Sequence, residues 1–233
     1  MKDNRPLIIA LDYSDAREAL KLLDLLDPSM CRVKIGKEMF TRFGPELVKQ
    51  ISKQGFEIFL DLKFHDIPNT VAGAVSAAVD LGVWMVNVHA TGGRTMMEAA
   101  AKAVGTTRST KLIAVTVLTS MSSQDLNETG VTGAADEQVL RLARLTAESG
   151  LDGVVCSARE IEVLRQNFGS EFLLVTPGIR PAGDSAGDQK RTETPATAIA
   201  KGSSYLVIGR PITQAANPAE KLREIQLEIH GKI

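Results

Sequence analysis

Residues 57–89 read EIFLDLKFHDIPNTVAGAVSAAVDLGVWMVNVH, and this stretch decides the fold that the sequence predicts. It begins with an apolar run, Glu57–Leu62, continues as an amphipathic segment, Thr70–Leu81, and closes on a second apolar run, Trp84–His89. Nearly continuous apolar runs of this length are typical of strands buried on both faces of a parallel sheet. The stretch therefore predicts a strand, a helix and a second strand parallel to the first.

The same alternation continues along the whole chain. The predicted strands are Leu7–Leu11, Arg32–Ile35, Glu57–Leu62, Trp84–His89, Leu112–Leu118, Gly153–Cys156, Phe172–Thr176 and Tyr205–Ile208. The predicted helices are Asp15–Leu26, Glu46–Gln54, Thr70–Leu81, Met96–Val104, Glu137–Glu148, Ala158–Asn167, Thr197–Lys201 and Ala219–Ile229. Eight strand-then-helix units joined by right-handed crossovers predict an α/β fold, a single (β/α)8 TIM barrel.

A doubly wound open sheet is the competing architecture. Its edge strands would be exposed on one side and should read less apolar than the strands of this chain. No Gly-x-Gly-x-x-Gly follows the first strand, which removes the main support for a dinucleotide-binding version of that fold. Because no linker, low-complexity tract or charge block interrupts the pattern, residues 1–233 are expected to form one barrel domain.

Composition narrows the range of partners. The 27 basic and 28 acidic residues nearly cancel, which argues against the basic surface that nucleic-acid binding requires. The N-terminal apolar run is too short for a signal peptide, and no stretch approaches the roughly 20 apolar residues that span a bilayer. The 2 cysteines adjoin strand-like runs and are expected to be buried, reduced thiols. The expectation is a cytoplasmic protein that binds neither nucleic acid nor membrane.

Charged residues follow the second and third predicted strands, at the end where a barrel builds its active site. Side chains alternate across a strand, so Asp61 and Lys63 should both point into the barrel. Buried opposite charges are costly unless they pair, and a structural ion pair is therefore one interpretation. Lys34 and Asp66 add two more alternating charges at the same end, which favours a catalytic cluster over a device for stability.

Asp12 ends the first strand, immediately before a predicted helix. Capping that helix would be its ordinary role, but Ser14 and Asp15 are better placed to cap. Asp12 is therefore a candidate binding residue. Asn87 and His89 end the fourth strand, and a single His at such a position is more often structural than catalytic.

The last two strands end in a pattern that suits a phosphate group. Barrels often hold phosphate with the loops after strands seven and eight and a short helix that follows. Arg180 and Arg210 supply planar donors that match phosphate oxygens, and Gly209 lets a backbone N–H approach an anion closely. Pro211 suits the start of the short helix, and the polar segment Pro181–Thr194 is either a flexible loop or a lid over the ligand.

Metal binding has little support in the sequence. The 3 histidines lack ligand spacing, and the lysines near the carboxylate cluster would repel a cation. Trp84 and Phe59 are best interpreted as core residues. Neither a metal nor an organic cofactor is predicted.

These segments together resemble a known family. The run Asp61–Thr70, DLKFHDIPNT, resembles the signature of orotidine 5′-phosphate decarboxylases. Four further segments support the resemblance and follow in order along the chain. They are Val115–Met121, Thr176–Pro181, Gly187–Gln189 and Ile208–Thr213.

The resemblance implies catalytic roles for four charged residues. Lys34, Asp61, Lys63 and Asp66 match the charged tetrad of the family, with Lys63 as the proton donor and Asp61 facing the departing CO2. The implied reaction is the metal- and cofactor-independent decarboxylation of orotidine 5′-monophosphate to uridine 5′-monophosphate, the last step of de novo pyrimidine biosynthesis.

The resemblance also implies how the nucleotide substrate is held. Asp12 and Lys34 would bind the ribose hydroxyls, and Thr119 or Ser120, with Thr119 favoured, would touch the pyrimidine. The phosphate would be bound by Gln189, Arg210, the Gly209 N–H and the nearby Arg180. Family members are dimers, in which Asp66 and Thr70 complete the site of the partner.

The sequence is compatible with two other functions. A related barrel enzyme, such as a metal-dependent 3-keto-gulonate-phosphate decarboxylase, would want an acidic metal ligand near the end of strand two, where this chain has Lys34. A non-catalytic nucleotide-binding protein could use the same pocket, but it would have no reason to keep Asp61 facing an anionic ligand.

Overall fold

A computed structural model describes residues 5–105, 109–181 and 193–231. Parallel strands close into a barrel in the order β1-β2-β3-β4-β5-β6-β7-β8, and β1 pairs with β8 through Leu7 and Leu206. The strands are β1 Leu7–Leu11, β2 Arg32–Gly36, β3 Ile58–Phe64, β4 Met85–His89, β5 Lys111–Val115, β6 Gly153–Val155, β7 Leu173–Pro177 and β8 Tyr205–Ile208. The TIM barrel is confirmed, and the open sheet is excluded. That residues 1–233 form one domain stays a prediction.

Helices follow the strands and cover the outside of the barrel. They are α1 Ala16–Leu23, α2 Lys37–Lys53, α3 Pro68–Asp80, α4 Gly93–Val104, α5 Ser123–Glu128, α6 Ala135–Glu148, α7 Ile161–Asn167, α8 Pro195–Ala200, α9 Arg210–Thr213 and α10 Pro218–Ile229. Within the described part of the chain, none of these helices has the length and apolar character needed to cross a membrane.

The fifth strand and helices α2 and α5 are among the elements that differ from the sequence prediction. The fifth strand ends at Val115 rather than Leu118, because the chain leaves the barrel there to line the cavity described below. Helix α2 begins at Lys37, ahead of a kink at Gly44, whose φ of 60° is a left-handed conformation that favours glycine. Helix α5 was not predicted, although Ser122 and Asp125 form a capping box at its start.

The core has two layers. The outer layer lies between the barrel and the helices, and the inner layer fills the barrel. Phe59 and Trp84 belong to the inner layer, which confirms their interpretation as core residues. Cys31 and Cys156 are buried free thiols, as predicted, and burial raises the pKa of each to about 12.

A buried arginine occupies the N-terminal end of the barrel. Arg32, at the start of β2, is 2% exposed and its Nε lies 2.7 Å from the Glu57 carboxylate. Its guanidinium lies 4.1 Å from the centroid of the Trp84 ring, a distance at which cation–π attraction is significant. Glu57 also pairs with Arg5 at 2.8 Å. The polar residues at this end therefore form a paired structural cluster, separate from the opposite, C-terminal end of the strands.

We expect Arg32→Met to lower the free energy of unfolding by about 2 kcal/mol, because it removes both the ion pair and the cation–π contact from a buried position. Glu57 stays paired with Arg5, which limits the loss. Urea denaturation measures the change. Arg42→Met is the matched control, since Arg42 pairs with Glu38 on the exposed face of α2 and its removal should leave the midpoint nearly unchanged. Equal losses from the two variants would contradict the structural role of Arg32.

Candidate active site

Four charged side chains converge at the C-terminal ends of β1, β2 and β3. Strand register places Lys34 beside Ala10 and places Asp61 beside Gly36, so the charges of β2 and β3 lie at adjoining levels. Lys34 Nζ lies 3.3 Å from Asp12 Oδ1 and 3.4 Å from Asp61 Oδ2. Lys63 Nζ lies 2.6 Å from Asp61 Oδ1. The structure thus brings together Asp12, Lys34, Asp61 and Lys63.

Asp61 is the centre of this cluster. Its side chain is nearly buried, and Lys34 is buried beside it. Burial alone would raise the pKa of Asp61, but the positive charges of Lys34 and Lys63 outweigh that effect. With hydrogen bonds added from Lys63 and Asn87, the pKa of Asp61 is held below its usual value. Asp61 is therefore an ionised carboxylate at neutral pH.

Asp12 is available to contact Lys34 because another residue caps α1. The Asp15 carboxylate accepts a hydrogen bond of 2.9 Å from the Arg17 N–H and is the cap of that helix. Asp12 lies at the exposed rim of the cluster and contacts Lys34. The prediction that a residue other than Asp12 caps α1 is confirmed.

Asn87 is part of the cluster, although no role was predicted for it from the sequence. Its Nδ2 donates a hydrogen bond of 2.7 Å to Asp61 Oδ1, and its Oδ1 accepts one of 2.8 Å from the Lys63 N–H. A signal was present, since an inward-facing Asn on the strand beside Asp61 is a polar group that must find a partner.

Two neighbouring chambers border the cluster and share part of their lining. A narrow chamber of about 190 Å³ extends into the barrel beside Asp61 and Lys63, and its other walls are mainly apolar. A wider chamber of about 560 Å³ is lined mainly by polar side chains. Lys34 lines both chambers. The apolar walls of the narrow chamber are Phe59, Val115, Val117, Leu118, Val155, Val175, Pro177 and Val207.

The wider chamber holds most of the predicted phosphate-binding residues. Arg180, Gly209 and Arg210 line it, together with Asp12. Gly178 lines it too, with a φ of 78° that requires glycine. Gln189 lies outside the described residues, as does most of the segment Pro181–Thr194.

The two candidates for a pyrimidine contact have different surroundings. Thr119 lines the narrow chamber and is partly buried. Ser120 is exposed and does not line that chamber. Of the two side chains, Thr119 is the one placed beside a ligand in the barrel.

Asp66 and Thr70 lie outside the cluster that their own chain forms. Both are exposed, and Asp66 Oδ1 accepts a hydrogen bond of 2.7 Å from the Ile67 N–H. Asp66 makes no ion pair with Lys34 or Lys63, all of which the structure describes. Ile67, between Asp66 and Thr70 in sequence, is 67% exposed. Of the predicted tetrad, the structure joins three members and leaves Asp66 at the surface.

Groups of three or more His, Cys, Asp or Glu side chains arranged to hold a metal ion do not occur among residues 5–105, 109–181 and 193–231. The acidic residues of the cluster are instead paired with lysine ammonium groups.

Comparison with known proteins adds to this geometry. The orotidine 5′-phosphate decarboxylase / HUMPS family matches residues 5–225. The chain belongs to this family. It is 61% identical over 225 residues to the orotidine 5′-phosphate decarboxylase of Shewanella sediminis, covering 96% of each protein. It is 60% identical over 231 residues to that of Aliivibrio fischeri, covering 98% of each.

A solved structure agrees with the family assignment. The crystal structure of orotidine 5′-phosphate decarboxylase from Lactobacillus acidophilus superposes with a TM-score of 0.86 at 42% sequence identity, covering 97% of this chain and 99% of that chain. The similarity thus extends over nearly the whole chain rather than over the signature segment alone.

His89 lies beside the cluster, on the inner face of β4. Its ring centroid is 5.7 Å from that of His65. Burial is the largest cause that lowers the pKa of His89 to about 4, and repulsion from His65 and from nearby lysines adds to it. His89 is therefore neutral at physiological pH, which agrees with a structural role.

We expect His89 to make folding less favourable as the pH falls. An unfolded histidine takes up a proton near pH 6.5, whereas His89 in the folded protein does so only at about 4. Its contribution to stability is therefore fully present above about pH 6.5 and is lost as the pH falls to about 4. Proton NMR titration should show the low pKa, and His89→Gln should flatten this part of the stability profile. His65→Gln is the companion variant, which should raise the pKa of His89; a wild-type value near 6.5 would contradict the assignment.

Proposed function

We propose that this protein decarboxylates orotidine 5′-monophosphate to uridine 5′-monophosphate, in pyrimidine biosynthesis, without metal or cofactor. One observation carries the proposal: Asp61 is held ionised between Lys34 and Lys63 where a narrow apolar chamber meets a polar one. Membership of the family supports it. The arrangement suits a substrate with an anionic tail, a planar base and a carboxylate.

The two chambers suit the two ends of such a nucleotide. We infer that the phosphate binds in the wider chamber to Arg180, Arg210 and the Gly209 N–H, with Gln189 added from beyond the described residues. Bidentate guanidinium groups favour phosphate because their donors match its oxygens.

With the phosphate in the wider chamber, the positions of the base and the ribose follow. The pyrimidine enters the narrow chamber beside Thr119, and the ribose hydroxyls reach Asp12 and Lys34 at the rim. The substrate carboxylate then lies next to Asp61, and C6 lies next to the Lys63 ammonium.

In the proposed step the bond from C6 to the carboxylate carbon breaks, and its electron pair stays on C6 while neutral CO2 leaves. The Lys63 ammonium stabilises this charge and transfers a proton to C6. The product is uridine 5′-monophosphate, and Lys63 regains its proton from solvent. Overall, one proton is consumed and one CO2 is released for each substrate.

No single contact is large enough to account for this reaction. Enzymes lower barriers by roughly 8–23 kcal/mol, and a carbanion without an adjacent electron sink calls for the upper part of that range. One ion pair at 4 Å contributes about 4 kcal/mol at an effective dielectric of 20. Lys63 must therefore act with other effects. Asp61 would crowd the substrate carboxylate, and binding energy from the distant phosphate would hold the base against it.

The geometry weighs against both alternatives. A metal-dependent sugar-phosphate decarboxylase would want an acidic ligand where Lys34 instead spans Asp12 and Asp61. A protein that only binds nucleotides would gain nothing from an ionised Asp61 facing its anionic ligand, since that charge weakens binding of the ligand.

We further propose a homodimer in which Asp66 and Thr70 complete the partner's site. Both lie exposed at the start of α3, outside their own cluster, and the exposed side chain of Ile67 lies between them in sequence. An exposed aliphatic side chain beside polar groups that lie outside the cluster of their own chain suits a contact between subunits. The cytoplasmic location stays a prediction.

We expect Lys63→Ala to lower kcat for orotidylate by about 10⁴-fold or more, because it removes both the proton donor and the charge opposite the carbanion. A spectrophotometric decarboxylation assay measures the loss, and wild-type activity should be the same with a chelator present. Lys49→Ala, which removes an exposed lysine from α2, is the matched control. Full activity in Lys63→Ala, or loss of wild-type activity with chelator, would refute the mechanism.

Mixing inactive Lys63→Ala and Asp66→Ala chains should restore activity if sites are shared. In a hybrid dimer, one site would combine an intact Lys63 with an intact Asp66 from the other chain. Activity should rise on subunit exchange to at most about half of the wild-type value per hybrid dimer. No recovery, with exchange verified by differently tagged chains, would show that each site is complete within one chain.

A further inference from the structure

Asn87 sits at an irregularity of the barrel. Strands β3 and β4 pair at Leu60 with Val86 and again at Phe64 with Val88, and the register shifts between these pairs. Three residues of β3, from Asp61 to Lys63, thus lie opposite the single residue Asn87. Such a bulge leaves backbone groups of the longer strand without their usual partners.

The side chain of Asn87 takes the place of a missing backbone hydrogen bond between the strands. The Lys63 N–H donates to Asn87 Oδ1 at 2.8 Å, where a regular ladder would offer a backbone carbonyl. Lys63 has a φ of 55° and is the non-glycine residue with positive φ in the described part of the chain. A side chain in this left-handed region is strained and persists only where surrounding contacts impose it.

The other end of the same amide holds Asp61. Asn87 Nδ2 donates to Asp61 Oδ1 at 2.7 Å, and Lys63 Nζ contacts that same oxygen at 2.6 Å. Asn87 itself is 0% exposed. One fully buried amide therefore fixes the backbone of the proposed proton donor and the carboxylate of its neighbour.

We propose that Asn87 is a positioning residue for the decarboxylation: its amide sets the separation and direction of the Lys63 ammonium relative to the Asp61 carboxylate. The inference rests on the proposed function. Asn87 acts through its two partners, and it keeps the cluster in one geometry before substrate arrives. Preorganised charges of this kind need no rearrangement during the reaction.

The first test is Asn87→Leu, which keeps a side chain of similar shape but loses both hydrogen bonds. We expect kcat to fall by about 10²-fold, the typical effect of a small misplacement of reacting groups. KM and the Kd for uridine 5′-monophosphate should change by less than about threefold, because phosphate and ribose contacts lie in the wider chamber. A kcat close to wild type, or a loss confined to KM and Kd, would overturn the proposal.

Two further variants separate positioning from folding. Thr146→Val removes a buried hydroxyl that donates to the Leu142 carbonyl at 2.8 Å on α6, so it should cost stability and leave kcat unchanged. If Asn87→Leu does not fold, Asn87→Ser replaces it, since a hydroxyl can serve only one of the two partners at shorter reach. A reduced kcat with KM unchanged supports the proposal there, and an unchanged kcat overturns it.

A readout independent of turnover distinguishes this inference from the proposed function. The groups that face Asp61 are Lys34 from β2, Lys63 on its own strand, and Asn87 with His89 from β4; Asp12 reaches it through Lys34. Carbon-detected NMR of the Asp61 carboxyl should show a higher pKa in Asn87→Leu than in wild type, because a donor to the ionised form is lost.

The possible results distinguish failure of the proposed function from failure of the inference about Asn87. Wild-type protein that lacks activity would refute the proposed function, whereas the titration of Asp61 would still show whether Asn87 holds the Asp61 carboxylate. Active wild-type protein, with kcat and the Asp61 titration both unchanged in the variant, would overturn only the inference about Asn87.

Discussion

The buried carboxylate of Asp61 is the constraint on which the rest of the site depends. A carboxylate that loses most of its water is stable as an ion only if positive charge and hydrogen bonds replace that water. Lys34 and Lys63 supply the charge, and Asn87 supplies a further donor. Lys34 comes from β2, Lys63 from β3 and Asn87 from β4. The buried ion is therefore held by groups from three neighbouring strands.

The Asp61 site and the ion-paired cluster around Arg32 lie at opposite ends of the barrel. At the N-terminal end, Arg32 is fully paired with Glu57 and covered by Trp84. At the C-terminal end, the bulge between Leu60 and Phe64 and the left-handed backbone of Lys63 make the sheet less regular. Strain of this kind is tolerated where the surrounding fold is rigid, and the closed sheet with its two core layers provides that rigidity.

The two chambers explain why a remote group matters to the proposed chemistry. In the proposed binding mode the anion occupies the polar chamber, and Lys34, which lines both chambers, lies between that anion and Asp61. A ligand anchored there can press its other end into the apolar chamber, against the ionised carboxylate. The free energy of anion binding is thereby available to offset an unfavourable contact at the reacting centre.

Much of this protein was determined by its sequence alone. Strand periodicity predicted the barrel, and alternation on the third strand predicted that Asp61 and Lys63 lie together. Their side chains do meet at 2.6 Å, although the backbone between them is not a regular strand. Only the tertiary structure decided the rest. The bulge and the contacts of Asn87 depend on how β3 pairs with β4. The placement of Asp66 outside its own cluster depends on the turn into α3, and the two chambers depend on closure of the barrel. These features arise from contacts between residues distant in sequence, which local patterns do not encode.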